Sequence, residues 1–383
     1  MIKILHFITD TNIGGAGNLL CQQIKGLDNK KFDITVAVPR GSALIKKLYS
    51  LPCKIIELKY CADISFSVQS VIENYQTIKA SHPDIVHSHG SLSSRIAATI
   101  LRIPCRIFTR HCAPPPSKTI KNPLIKKVVG ATNNMLSTSI IATAEYAKQN
   151  LIDLGCDAQK ITTIVNGVAP IRHSSELEKT FLRAKYGLNN NDFVVSYFAR
   201  LEEIKGHKTL LEAAKICQKE YPNFRFFIVG TGSYEQNLKN YTQELGIDDM
   251  VYFTGFCDNV APIFNITDVN VNCSFVSETA SLSLSEGMSI GIPCVASDVA
   301  GNPYMVKNEQ NGLVFKKHSA QTLANALIRL YCDNELYKKC SLGALKRYRE
   351  ELNDKIMCQK MTNLYLREYH RINKLQRNKF TTI

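Results

Sequence analysis

The feature that most constrains the fold is an alternation. Short apolar runs, each closed by a glycine or polar turn, are followed by longer stretches with helical spacing, and the pattern passes through the chain twice. In the first half the runs are Lys3–Ile8, Ile34–Val38, Lys54–Leu58, Asp84–His87, Arg106–Thr109 and Ile140–Thr143. Between them lie Asn18–Leu27, Val68–Lys79, Ser93–Leu101 and Ile120–Leu136, which read as helices. Strands joined through helices pair in parallel, so the alternation predicts an α/β architecture with a parallel sheet covered on both faces. Ile161–Val168 runs into Asn166-Gly167 and is followed by a polar stretch, Pro170–Lys185, which places a domain boundary after residue 167. The alternation then restarts with Phe193–Phe198, the helix His207–Lys219, Phe226–Val229, Val251–Phe256 and Asp268–Ser274. After Leu313–Phe315 the chain reads as helical, with Leu323, Leu327 and Leu330 in one apolar stripe and Met357, Met361 and Leu364 in another. The 383 residues therefore divide into domains 1–167 and 168–355 and a terminal helical segment 356–383.

Composition removes several function classes. Thirteen cysteines are scattered with no C-x2-C pair, which argues against a disulfide framework and a zinc ribbon and for reduced core residues. Neither a signal peptide nor eighteen consecutive apolar residues occurs, so a cytoplasmic protein is expected. The net charge of +14 is uneven: residues 1–167 carry 20 Lys/Arg against 10 Asp/Glu, and the remainder 27 against 23. Such a surface suits nucleic acid, anionic lipid or acidic small molecules, and with no nucleic-acid motif present no nucleic-acid partner is expected. Between Ser117 and Lys127 four lysines, Lys118, Lys121, Lys126 and Lys127, alternate with Ile120, Leu124 and Ile125 without an acid. That segment reads either as a helix lying on anionic lipid or as the solvated face of a core helix, and an interior Pro123 would weaken the helix.

Candidate site residues cluster after strand ends. In SETASLSLSEGMSIGIPCVASDVAGNP, residues 277–303, Glu278 and Glu286 are eight positions apart. On one helix they would point about 80° apart and lie ~12 Å from each other, so Glu278 belongs to a loop and Glu286 to the helix that follows. The helix N-terminus between them offers free N–H groups to a phosphate, with a carboxylate on either side for sugar hydroxyls. Arg200 and Lys205 bracket the loop after Phe193–Phe198, where two cations neutralise a diphosphate. Gly14-Gly15-Ala-Gly17 follows the first strand but lacks the third glycine of a dinucleotide fingerprint, although Arg40 at the end of the second strand keeps an NADP reading open. His111 stands past the strand Arg106–Thr109 and before Cys112-Ala-Pro-Pro-Pro116, a site-like position. His87 and His89 share a strand face, and their structural reading leads over a metal site.

The order E-x7-E, Gly291-Ile-Pro293, a short strand and a glycine loop at Ala300-Gly-Asn-Pro303, preceded by Arg200-x4-Lys205-Gly206, resembles family 4 of the retaining glycosyltransferases. The chain departs from the family's G-G-x-P-E loop by Ala300 for the first glycine and Tyr304 for the glutamate. The resemblance implies the GT-B fold, two facing Rossmann-like domains with a cleft between them, the nucleotide sugar held by the second and the acceptor by the first, and the last helix recrossing to the first. It implies His111, Arg200, Lys205 and Glu278 as catalytic residues. The donor site would comprise Gly14, Gly15, Arg200, Lys205, Gly255, Phe256, Glu278, Leu282, Ser283, Leu284 and Glu286. The implied reaction is retaining transfer from a UDP- or GDP-sugar to a glycan or polyprenyl-linked acceptor in surface polysaccharide synthesis. No metal or other cofactor is expected, since no Asp-x-Asp pair is present. An anionic membrane on the inner face of the plasma membrane is the further expected partner. A nucleotide-sugar epimerase and a catalytically silent partner subunit of the same fold are the alternatives.

Overall fold

Among the described residues, thirteen strands form two sheets, and every ladder in both is parallel. The structure is a computed structural model that describes residues 1–111, 122–276 and 278–380. The first unit takes residues 1–167 together with the segment from Asp354 onward, and the second is Val168–Asn353. In the first lie β1 (Ile2–Ile8), β2 (Phe32–Pro39), β3 (Lys54–Leu58), β4 (Ile85–His89), β5 (Cys105–Arg110), β6 (Ser139–Ala142) and β7 (Ile161–Thr163). The second holds β8 (Phe193–Phe198), β9 (Phe224–Val229), β10 (Val251–Gly255), β11 (Val269–Asn272), β12 (Cys294–Ser297) and β13 (Gly312–Phe315).

Strand order is β3-β2-β1-β4-β5-β6-β7 in one sheet and β10-β9-β8-β11-β12-β13 in the other. Each chain path runs outward from a central strand, then crosses back and continues on that strand's other side. The reversal falls between β1 and β4 and between β8 and β11, and loops leaving the carboxyl ends of such neighbours part to leave a crevice. Strands β4, β6, β11 and β12 are buried at every residue, as expected where helices cover both faces of a parallel sheet.

Two local readings change. The helix expected from Ile120 is described as Pro123–Leu136: Asn122 caps it by accepting from Leu124 N at 2.9 Å, and Pro123 occupies the first turn, where no N–H is required. Lys118 and Lys121 lie outside the described residues. Within the stretch read only as polar, Glu176–Lys185 is a helix opened by a capping box, with Ser175 Oγ accepting from Glu178 N and Glu178 Oε2 from Ser175 N. Of the twelve described cysteines, all free, eight are buried as expected. Cys21, Cys53 and Cys257 are half-buried, and Cys332 is exposed.

The terminal helix Asp354–Phe380 belongs to the first unit, where it packs on the helix Gly15–Gly26 and on β5. Met357, Cys358, Met361, Leu364 and Tyr365 are buried there. The approach is close enough that a Cβ on Gly26 would fall 2.4 Å from Cys358 Sγ. No described helix is long and apolar enough to cross a membrane. If this contact seats the last helix, Gly26→Ala should cost about 1–3 kcal/mol through overpacking. Adding Cys358→Ala, which removes the sulfur, should return part of that loss in urea unfolding, whereas two purely additive costs would show that the groups do not meet.

Candidate active site

In the second unit the reversal point is bridged by charge. The loop leaving β8 carries Lys205, the loop leaving β11 carries Glu278, and the two side chains form a largely buried ion pair. Ser274 Oγ donates to the same Glu278 oxygen at 2.7 Å. Beneath them the fully buried Tyr197 donates to the carbonyl of Lys205 at 2.7 Å and lies 3.3 Å from Ser274 Oγ. Gly206 completes the clamp: its φ is +71°, and a Cβ there would meet the Cys273 carbonyl at 2.2 Å. Only glycine fits that backbone, so the residue after Lys205 is dictated by the loop it rests on. Arg200 is not drawn into this pair. It is mostly exposed and pairs with Glu202 at 2.5 Å within its own loop.

Glu278 lies in a loop and Glu286 in the helix Leu282–Ser289, which begins between them. Ser281 caps that helix and takes the N–H of Leu284. The N–H groups of Leu282 and Ser283 find no acceptor among the described residues, so they remain open to a phosphate. Further along the helix, the half-buried Glu286 carboxylate makes no hydrogen bond or ion pair with a described residue, and burial raises it to about 7. The loop at 300–304 rests against Glu278, whose carbonyl accepts from Gly301 N at 2.8 Å. Ala300, in place of the family's first glycine, is held at φ +52°. A left-handed alanine costs roughly 1–2 kcal/mol, so the backbone shape is kept although the residue that eases it is absent. Tyr304 takes the place of the family's glutamate and is tied elsewhere, donating to Glu351 at 2.8 Å with Arg347 over its ring. Gly255 ends β10 at φ +72° and accepts from Gly230 N, while the Phe256 ring is 65% exposed.

In the first unit the reversal point holds a glycine loop and four imidazoles. Gly14 caps the helix Gly15–Gly26 at φ −94°, and a Cβ there would stand 3.8 Å from Asp10, an ordinary contact. The fold itself therefore does not demand glycine at 14. Asp63 shapes the loop by accepting from Thr11 N and Thr11 Oγ1, and Asp10 is raised by its own burial and by Asp63. His6 on β1, His87 and His89 on β4, and His111 just past β5 gather beside it. His6 Nδ1 lies 3.0 Å from His89 Nε2, and His89 Nδ1 lies 2.9 Å from His111 Nε2. His87 is held by Tyr365 OH at 2.7 Å and Thr109 Oγ1 at 2.6 Å. Nitrogens of His6, His87 and His89 come within 4.8 Å of one another, a spacing a metal ion would need, but both nitrogens of His87 already face hydroxyls.

Read from sequence, His89 and His111 both stand just past strand ends, a structural reading leads for His87 and His89, and His6 is not singled out. The structure joins His89 directly to His111 and His6 to His89. The period-two spacing of His87 and His89 placed them on one face, but nothing local announces that β1 lies beside β4. Ser274 and Tyr197 were missed for the same reason: each acts across neighbouring strands.

The chain is similar to known proteins over most of its length. The family model described as glycosyl transferases group 1 matches residues 178–347, and that of glycosyltransferase family 4 matches residues 13–172. The chain is 30% identical to the UDP-Gal:alpha-D-GlcNAc-diphosphoundecaprenol alpha-1,3-galactosyltransferase of Escherichia coli, over 88% of this chain and 91% of that one. It is 23% identical to the capsular polysaccharide biosynthesis glycosyltransferase CapM of Staphylococcus aureus, over 95% and 96%. Anabaena HepE, solved in complex with UDP and glucose, superposes with a TM-score of 0.82 at 20% identity, covering 95% of this chain and 99% of that one.

The raised carboxyl of Glu286 carries a signed consequence. Its folded value lies above the usual 4.5, so the folded state holds the extra proton between about 4.5 and 7 and loses stability as pH rises through that window. Glu286→Gln should therefore stabilise the protein above pH 7 and make no difference below pH 4.5. Denaturant unfolding at pH 4.5 and 8 reads this, and an equal shift at both would show that the carboxylate is not held at a cost.

Proposed function

The chain belongs to family 4 of the glycosyltransferases and has the GT-B fold. From that premise we propose that it transfers a hexose from a UDP-sugar to a lipid-linked glycan acceptor in surface polysaccharide synthesis, with retention and without a metal ion. The observation that carries this reading is the bridge at the β8/β11 reversal: Lys205 paired with Glu278, beside two open N–H groups and followed by an unpartnered Glu286. That order of cation, donors and acids matches diphosphate, hexose and ribose in turn. UDP is favoured because the E. coli relative is named for UDP-Gal and HepE was solved with UDP. A lipid-linked acceptor is favoured by the E. coli relative's name, and capsule synthesis by that of CapM.

In the proposed step the acceptor hydroxyl oxygen bonds to the anomeric carbon while the bond from that carbon to the diphosphate oxygen breaks. The electron pair leaves with the diphosphate, and the hydroxyl proton passes to it on the same face of the sugar. Charge grows on the departing oxygens, so donors aimed there are worth more in the transition state than in the bound substrate. Lys205, Arg200 and the N–H groups of Leu282 and Ser283 take that role. Glu278 binds donor hydroxyls once a diphosphate draws Lys205 away, and Glu286 accepts from ribose hydroxyls.

Expected outcomes are specific. Lys205→Ala should lower kcat at least about 100-fold, the loss typical of removing one oxyanion donor. Glu286→Ala should act on donor affinity, reducing the thermal shift given by UDP. For the unaltered protein, UDP at one hundred times its Kd should add about 2.7 kcal/mol of stability. Unchanged turnover in both variants would remove the assignment. UDP release from UDP-sugar without any acceptor would favour the epimerase, and a β-linked product from an α-linked donor would end the retaining reading.

Membrane association is the second part of the proposal. The helix Pro123–Leu136 exposes Leu124, Val128 and Met135 along one face, with the exposed Lys127 beside them, the half-buried Lys126 on the opposite side, and no acid in the helix. Apolar groups turned outward on a basic helix suit the headgroup boundary of an anionic bilayer. The protein should float with anionic vesicles, less so as salt shortens the ~8 Å screening length. Lys127→Gln should weaken binding roughly fivefold, at about 1 kcal/mol for one lysine at the surface. Equal flotation of both forms would take this helix out of the contact.

A further inference from the structure

The helix Glu176–Lys185 of the second unit keeps an apolar stripe in solvent. At about 100° per residue, Leu177, Phe181 and Ala184 fall on one face with Thr180 at its edge. All four are exposed, Leu177 at 85% and Phe181 at 70%. The opposite face, through Leu182 and the capping Tyr186, packs on Leu188, Val194 and Phe227. Beside the stripe runs a groove of about 640 Å3 whose lining also includes Pro262. A lone apolar side chain on a surface is ordinary, but an i, i+4 pair of large ones along a groove marks a place of contact.

Charges flank the stripe in a fixed order. On one side lie Glu178 in the first turn and Lys185 in the last, and on the other lie Glu176 and Arg183, each about 80–120° from the centre of the stripe. Both flanks therefore begin with an acid and end with a base. Local contacts hold these groups: Glu178 meets Arg172 and closes the capping box, Glu176 pairs with Lys179, and Arg183 donates to the carbonyls of Asn189 and Asp192.

That order selects the occupant. A second copy related by a two-fold axis across the helix brings like flanks together with the chain direction reversed. Leu177 then lies opposite Ala184 of the other copy and Phe181 opposite Thr180, while Glu178 stands beside Lys185 and Glu176 beside Arg183. A parallel pair would instead set Glu178 against Glu176 and Lys185 against Arg183, so the flanking charges disfavour it. An anionic bilayer would meet two acids in the first turn, unlike at the helix Pro123–Leu136, which has none.

We propose that the helix Glu176–Lys185 is a self-association surface on which a second copy of this chain docks antiparallel, through Leu177, Phe181 and Ala184. One short helix from each copy is a small contact, so the dimer is weak and forms as concentration rises. Its formation does not depend on the reaction proposed above.

Sedimentation equilibrium of the full-length protein under reducing conditions, from about 1 to 100 µM, should show monomer and dimer in exchange. Phe181→Glu should weaken the dimer at least about tenfold, as loss of a central aromatic anchor does. Lys185→Glu, which sets an acid opposite Glu178, should weaken it too. Both positions are exposed, and an unchanged thermal midpoint shows that each variant keeps its fold. Orientation is read by oxidising a mixture of Leu177→Cys and Ala184→Cys proteins and mapping the peptides by mass. A disulfide between positions 177 and 184 of two copies is expected, and one joining position 177 to itself overturns the antiparallel docking. A monomer at every concentration overturns the association, and an equally strong dimer in Phe181→Glu removes it from this helix. If Phe181→Glu instead abolishes flotation with anionic vesicles while the unaltered protein sediments as a monomer, the face belongs to a bilayer and the proposal fails.

Discussion

Because each sheet is wholly parallel and its strand order reverses once, the loops leaving β1 and β4, and those leaving β8 and β11, are forced apart at one end of each sheet. A closed sheet edge or a hairpin would have filled those places with backbone hydrogen bonds. Here the peptide groups at the strand ends meet side chains instead, and nearly every polar group discussed above stands within a few residues of one of the two reversals. The repeated order makes the two halves chemically comparable. One half bridges its reversal with a lysine and a glutamate, the other with a row of neutral imidazoles.

The two solutions differ in what they hold ready. In the second unit, charge is stored: Lys205 and Glu278 satisfy one another, while Glu286 is kept half-buried with no partner among the described residues and its carboxyl raised by desolvation. Groups left this way contribute little or nothing to stability and much to recognition, since a ligand that hydrogen-bonds them relieves a burial cost already present. In the first unit, charge is excluded. Burial keeps His6, His87, His89 and His111 neutral, so the imidazoles contribute hydrogen bonds and no charge.

Local signals in the sequence were enough for the fold class, because strand runs and helical spacing recur with little ambiguity and the glycine turns fall between them. The loop position of Glu278 and the helical position of Glu286 were also legible, since eight residues of helix cannot bring two carboxylates together. Other features depended on which strands become neighbours. Periodicity within β1 says nothing of its pairing with β4, so the meeting of His6 with His89 was hidden. The capping box at Ser175–Glu178 was present in the sequence but was masked by a stretch of mostly polar residues. The partner of Arg200 was not legible either: spacing puts it after β8 in the loop of Lys205, and there it pairs with Glu202.

The hydrogen bond between His87 and Tyr365 joins residues 278 positions apart, and the whole of the second unit lies between them in the chain. During synthesis the ribosome therefore releases β1 to β7 long before the helix that completes their core. The interposed unit, which is continuous, is fully emerged by the time Tyr365 appears and can reach its native state first, while the earlier-made sheet waits with part of its apolar surface uncovered. The half that is translated first is thus the half whose core waits on the segment translated after the other.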